Sequence, residues 1–296
     1  MPWRLATSER MLASIIASGL AIGAVYALIG IVYNTMYLAS RVMSFTAGQI
    51  GMLGSVFGAL FILHMGLHPV LGLIATLAAC AALGVATEII AVRPVLTKLE
   101  QHLYVLSTLA VTLMIQQLTA IEWSTEPQPF PRLFGLPTAG PLDEKFWLPL
   151  AACALVFTGL ELLYRHTLIG RAFLAIAEDN FAARALGLPE RNLRMTSFAL
   201  SGVIGGIAGF AGGELLLAFF ANGAILSFYG FIPIAIGGLG NNRGAVVGGL
   251  ALGLLQQGCN FLFGGVFASV VVFLVFIIAL LAVPRGLFGL TTERRV

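Results

Sequence analysis

Few side chains in this sequence could do chemistry. Of its 296 residues only 10% are Asp, Glu, Lys or Arg, with four histidines and three cysteines. Lys98 and Lys145 are the only lysines, and no Gly-x4-Gly-Lys-Ser/Thr run occurs. The chain therefore has no nucleotide-hydrolysing site of the phosphate-loop kind. His-Glu-x-x-His and Gly-x-Ser-x-Gly are also missing, which removes the commonest metalloprotease and serine-hydrolase signatures. His64 and His68 are four apart and could share a helical face, but Gly66 between them and Pro69 after them mark a wet helix end. Cys80, Cys153 and Cys259 stand far apart in apolar stretches, which suits neither a disulfide framework nor a metal cluster. No catalytic, cofactor-binding or metal-binding residue is assigned.

The elements that position these groups belong to a membrane. Hydrophobic residues make up 59% of the chain, and the charged fraction is well under half the roughly 25% of soluble domains. With mean hydropathy +0.97, the sequence could not coat a soluble 31.2 kDa particle. The 35 glycines suit membrane helices. A net charge of +3, spread without a basic run, excludes a nucleic-acid partner. Apolar segments fall at 11–39, 43–64, 69–92, 103–121, 146–164, 195–221, 223–239, 244–263 and 266–283, most of them near the 20 residues a spanning helix needs. The first is too long for a signal-peptide core and is followed by further spans. The sequence thus predicts an all-α, polytopic membrane helical bundle of about eight to nine hydrophobic segments, forming one domain over 1–296.

Arginines set its orientation. Loop 165–194 carries Arg165, Arg171, Arg184, Arg191 and Arg194, the connection 93–102 holds Arg93 and Lys98, and the tail has Arg285, Arg294 and Arg295. These are placed in the cytoplasm. The Pro-containing loop 122–145, with Glu122, Glu126, Asp143 and Glu144, is placed outside. Nine full spans ending inside put the N-terminus outside, whereas Arg4 and Arg10 argue for inside. A discontinuous or re-entrant segment would reduce the count to eight. The best candidates are 43–64, with Gly48, Gly51, Gly54 and Gly58, and 223–239, with Pro233 and the run Gly237-Gly238-Leu239-Gly240. Broken helices are tolerated at membrane depth where they are buried or line a cavity, and in transporters they form substrate paths.

Two carboxylates lie in these segments. Glu88, five residues before Arg93, reads as an anchor that reaches water or a basic partner. Glu214, between Gly212-Gly213 and Leu215-Leu216-Leu217, reads as deeper. A buried intramembrane carboxylate is a functional hypothesis by default. A polar subunit contact or the outer mouth of a cavity accounts for Glu214 equally well. The glycines at 202, 205, 206, 209, 212 and 213, and at 240, 244, 248, 249 and 253, read as close helix packing.

Loop 165–194 is the most specific feature. Residues 171–186 are rich in helix formers, and Gly187 followed by Pro189 supplies a stop. A short Ala-rich helix with few bulky anchors suits a groove on a partner better than a lipid surface. Around it stand Arg93-Pro94-Val95-Leu96, Gly170-Arg171-Ala172, Ala182-Ala183-x3-Gly187, Gly237-Gly238-Leu239-Gly240, Gly244-Ala245-Val246-x-Gly248-Gly249 and Pro284-Arg285-Gly286-Leu287-Phe288-Gly289. In that order and spacing the chain resembles, from about Gly19 to Gly289, the permease subunits of branched-chain amino acid ABC importers, in a group that includes urea and sugar permeases. In ABC importers a Glu-Ala-Ala-x3-Gly motif forms the coupling helix that docks in the ATPase. Here Phe181 stands where that Glu would be. Where the family often shows Asn-Phe-Ala-His-Gly-Glu, this chain has Ser44-Phe45-Thr46-Ala47-Gly48-Gln49, and Gln256 replaces an acid near the end of the Gly-rich segment.

The resemblance implies an ATPase-coupling site of Gly170, Arg171, Phe181, Ala182, Ala183 and Gly187. It implies two cytoplasmic ABC ATPase subunits, a second and different permease subunit, and an extracytoplasmic substrate-binding protein, all at a bacterial cytoplasmic (inner) membrane. The small-molecule cargo it implies is a branched-chain or other hydrophobic amino acid, with urea, amides or other small polar solutes as the alternative in the same class. A candidate path is drawn through Ser44, Thr46, Gly48, Gln49 and Glu214. A self-sufficient secondary transporter relying on Glu214 is the rival from another class.

Overall fold

The computed structural model describes residues 2–96, 103–133, 143–282 and Gly286. Lys98, the tail arginines and most of the 284–289 motif lie outside them. Among the described residues, eight helices are long and apolar enough to cross a membrane: Met11–Ser40, Ala47–His64, Pro69–Val95, Leu103–Glu122, Glu144–His166, Glu190–Leu216, Asn242–Phe263 and Gly265–Ala282. In chain order, α1 is Pro2–Ser40, α2 is Ala47–Ala59, continued by a π-turn at Leu60–His64, and α3 is Pro69–Thr87, continued by a π-turn at Glu88–Val92. The turn α4 (Arg93–Leu96) precedes α5 (Leu103–Glu122) and α6 (Glu144–His166). Two short helices follow, α7 (Leu168–Glu178) and α8 (Asn180–Ala185). Then come α9 (Glu190–Leu216), α10 (Asn222–Gly237), α11 (Asn242–Phe263) and α12 (Gly265–Ala282). Among the described residues the only β pairing is an isolated bridge between Gln128 and Ala218.

The middle of α1 is the centre of the bundle, with Ala24, Val25, Ala27, Leu28, Ile29, Ile31 and Val32 fully buried. Glycines let its neighbours approach at backbone distance. A Cβ on Gly249 would stand 2.6 Å from Ala27 N, and one on Gly23 would stand 2.7 Å from Gly249 O. On α9, a Cβ at Gly202 would collide with Cys80 O, and one at Gly205 would stand 2.8 Å from Ile50. Without water in the hydrocarbon there is no strong hydrophobic drive between helices, so such close van der Waals fits carry the association.

The packing settles the chain's direction relative to the arginine-rich loop. Ser197 Oγ donates to Thr35 O, and Val25 lies at Gly212. The helices α1 and α9 are therefore antiparallel, and α9 begins immediately after that loop. The Ser40 end of α1 is on the loop's side, and α1 starts on the opposite one. This is the side that nine full crossings give the N-terminus, not the one that Arg4 and Arg10 favour. Segment 223–239 is also not broken. It forms the continuous helix α10 with Pro233 inside, but it has only 16 residues, about 24 Å at 1.5 Å per residue. The interruption lies at 41–46, which is non-helical. Ile50, in the first turn of α2, meets Gly205, halfway along α9. So α2 begins alongside the middle of α9.

Candidate functional site

On the arginine-rich side the expected single helix over 171–186 is two helices. Asp179 adopts an extended conformation (φ −146°, ψ 105°), and its carboxylate accepts from Phe181 N at 2.9 Å and Ala182 N at 3.1 Å. This N-cap outweighs the helix propensity of the flanking alanines. Helix α7 is itself capped by Thr167, whose hydroxyl accepts from Gly170 N at 3.0 Å. It buries Gly170, Phe173 and Ile176. Gly170 lies against α6, since a Cβ there would stand 2.6 Å from Tyr164 Cα. The other face is open: Arg171 and Ala182 are exposed, and Phe181 and Leu186 are 84% and 83% exposed, while Ala183 is buried. Gly187 takes φ +81°, a conformation in which L side chains are strained. Thus Gly170 and Ala183 seat the corner, and Phe181, Ala182 and Leu186 face outward.

The corner is tied into the bundle by charges. Arg184 pairs with Glu190, Glu190 with Arg194 at 3.4 Å, Arg194 with Glu88 at 2.8 Å, and Glu88 with Arg93 at 2.6 Å. Glu88 is fully buried. Its local partner Arg93 was legible in the sequence, but Arg194, 106 residues away, carried no sequence signal. A second anchor joins Glu161 to Arg165 at 2.6 Å and Arg243 at 2.7 Å. Nearby, Asn34 donates to Asn242 Oδ1 at 3.2 Å and accepts from Gly240 N at 2.9 Å.

The candidate path residues form two groups. Ser44, Thr46 and Gln49 are fully buried at the start of α2. The hydroxyls of Ser44 and Thr46 are 2.7 Å apart. Ser227 on α10 donates to Phe45 O at 3.1 Å, and Tyr33 donates to Ser227 O at 3.2 Å. Gly48 lies against the backbone of Ser227, and Gly223 lies against the Gln49 amide. Glu214 is elsewhere. It sits two residues from the end of α9, on the side opposite the arginine-rich loop, paired with Arg132 at 3.4 Å. It is therefore a rim residue rather than a deep one. Gln256 accepts from Tyr26 Oη at 2.8 Å, and the Tyr26 ring stacks on Tyr229 with centroids 5.0 Å apart.

The rim is closed by loop 122–133. Gln128 and Ala218 exchange backbone hydrogen bonds at 3.0 and 2.9 Å. Phe130 inserts between Gly58, Gly213 and Phe210, with its ring 5.4 Å from that of Phe210. Phe130 is a contact that the sequence reading missed; its only signal was the pair of facing glycines.

Residues 15–280 match the family described as branched-chain amino acid transport system, permease component. The chain is 28% identical to the high-affinity branched-chain amino acid transport system permease protein BraD of Pseudomonas aeruginosa, over 93% of this chain and 94% of that one. It is 26% identical to the corresponding protein LivH of Escherichia coli K12, over 92% and 94%. The permease protein LivM of E. coli K12 matches at 37% over 29% of this chain and 20% of its own length. Eight apolar helices of spanning length, together with a match over nearly the whole chain, leave one conclusion: this multi-pass membrane protein belongs to the branched-chain amino acid ABC importer permeases.

Proposed function

We propose that residues 1–296 act as one transmembrane permease domain of an ATP-driven importer in a bacterial inner membrane, carrying branched-chain or other hydrophobic amino acids. A soluble binding protein delivers the cargo from outside, and two cytoplasmic ATPases bind below. A second, different permease completes the path, a pairing supported by the naming of LivH and LivM as permease proteins of one transport system.

The observation that carries this reading is the α7–α8 corner. It presents Phe181 and Leu186 almost fully exposed, on a base held by Gly170, Ala183 and the Arg184–Glu190 pair. An apolar surface on a rigid base is what a partner that delivers force requires. ATP-driven closure of the ATPases moves this corner, and the ion pairs carry the motion to α3 and α9. The missing phosphate loop fits a chain that couples to ATP hydrolysis by its partners.

The test is purification from the native membrane in mild detergent, followed by uptake in proteoliposomes. Co-purification of two phosphate-loop ATPases and a second permease, with ATP-dependent leucine uptake, is the expected result. Uptake of urea or amides instead moves the cargo to the alternative in the same class. A lone chain that transports without an ATPase sinks the importer reading and favours a secondary transporter.

A further inference from the structure

Helix α5 carries two amides with no partner inside a membrane span. Gln117 is exposed and Gln116 is half-buried beside it, and neither side chain makes a hydrogen bond among the described residues. Gln117 precedes Glu122, the last residue of α5, by five positions, which puts it about 8 Å inside the rim at 1.5 Å per residue. Helical side chains lean toward the helix N-terminus, so the amide is carried deeper rather than up to water. Lipid tails offer an amide no partner, and leaving one unpaired in hydrocarbon is costly. The residues around it form a seam. Leu106, Ala110, Leu113, Gln117 and Ala120 recur at alternating spacings of four and three, the pattern of a helix that packs along another helix. All are exposed except Ala120, which is half-buried. The opposite face of α5 is weakly held by its own chain. Thr108, Thr112 and Thr119 are buried there, yet their hydroxyls donate within α5, to Tyr104 O at 2.9 Å, Thr108 O at 2.8 Å and Ile115 O at 2.8 Å. Near the loop end Ser107 Oγ ties α5 to Ala91 O at 2.8 Å. Toward the rim an apolar cleft of about 400 Å³, lined by Leu53, Val56, Leu60, Leu83, Ile115 and Leu118, separates α5 from α2 and α3.

We propose that the α5 face of Leu106, Ala110, Leu113 and Gln117 is the docking surface for the second permease subunit, which lays a membrane helix along it and sets an amide or hydroxyl side chain opposite Gln117. Ala110 is the small residue that lets two helices approach closely in lipid. The Gln117 amide is both donor and acceptor, so it pairs with either kind of group, and one polar residue in an apolar seam fixes the register of the two helices. Lipid in that place leaves the amide unpaired. A water-filled path satisfies the amide but gives no reason for leucines at helix-packing intervals on either side of it. The inference rests on the two-permease importer proposed above and names the surface by which this chain meets its partner.

The experiment uses the complex assembled in its own membrane. A photoreactive phenylalanine analogue placed at Leu113, and separately at Gln117, should on illumination form a covalent adduct with the second permease, identified by mass spectrometry. Ala110→Trp and Gln117→Leu are then purified in mild detergent, and the second permease recovered with each is measured. Both positions face away from this chain, so both variants should accumulate in the membrane at the wild-type level. Ala110→Trp wedges the seam open and should cut recovery at least tenfold. Gln117→Leu removes one interhelical hydrogen bond and should cut it about threefold. Wild-type recovery in Ala110→Trp overturns the proposal. So does an adduct confined to lipid or to a second copy of this chain while the second permease is present. Labelling of Gln117→Cys in the complex by a membrane-impermeant thiol reagent marks a water-filled path and likewise overturns it. A wild-type complex that contains no second, different permease overturns the importer pairing instead, so the two failures are distinguishable.

Discussion

Arg194 Nε donates to Glu88 Oε1 at 2.8 Å, joining the loop end of α9 to the π-turn that ends α3. Glu88 is fully buried and Arg194 is 8% exposed, so the pair is shielded from the solvent screening that makes surface pairs weak. Removing one partner of a buried pair leaves an uncompensated charge, at a cost of about 3–5 kcal/mol. Arg194→Ala should therefore lower the melting point of the detergent-purified protein sharply. The double variant Glu88→Leu, Arg194→Leu should recover much of the loss. A single variant that melts like wild type would mean the pair does not hold this end of the bundle.

The docking corner should separate stability from coupling. Phe181→Ala and Leu186→Ala remove side chains that touch little of this chain, so melting should be unchanged. Substrate-stimulated ATP hydrolysis by the reconstituted complex should fall at least several-fold. Ala183→Glu, at a buried position, should abolish transport while the protein still inserts, and Asp179→Ala should cost about 1 kcal/mol through the lost N-cap. Unchanged hydrolysis in Phe181→Ala argues against docking at this corner.

Phe130 closes the rim between Gly58 and Gly213. Truncating a buried aromatic to alanine costs about 3–5 kcal/mol, and Phe130→Ala should also speed proteolysis of loop 122–145 from the side opposite the arginine-rich loop. Proteolysis at the wild-type rate would count against Phe130 as the loop's anchor.

The antiparallel packing of α1 and α9 makes a prediction about sidedness. Single cysteines at Ser8 and at the exposed Ala185, in a chain freed of its own cysteines, should be labelled by a membrane-impermeant thiol reagent from opposite faces. Labelling of both from one face would contradict the arrangement of the bundle.

Much of the architecture was legible because apolar runs and arginine distribution are properties of local sequence. The segment 223–239 was one of two candidates for a discontinuous or re-entrant stretch because Pro233 and its glycines weaken helices in isolation, whereas in the fold the α10 backbone packs on Gly30 and Gly244. The side on which α1 starts stayed open in the sequence, because nine crossings and the charges of Arg4 and Arg10 point to opposite sides. The α7–α8 break was legible in principle, since Asp179-Asn180 is N-cap chemistry, but the alanine-rich flanks masked it. At the site, the grouping of Ser44, Thr46 and Gln49 followed from their closeness in sequence. Gly223 and Ser227 joined them only through the fold, and Glu214 left the group because its depth depends on where α9 ends.

The glycine contacts have a consequence for how this sequence can vary. Every amino-acid replacement of glycine adds at least one carbon, so change at such a position has only one direction. At Gly209, where a first carbon would stand 2.7 Å from Ser55 N and closer still to Gly51 O, and at Gly253, facing Gly19 and Gly23, the smallest possible step already drives two backbones apart. Gly159 and Gly258 face open space and carry no such restriction. The bundle's inner surfaces are thus fixed less by what their side chains do than by the absence of side chains, and drift at one seam can be accommodated only by a matching retreat of the opposing helix.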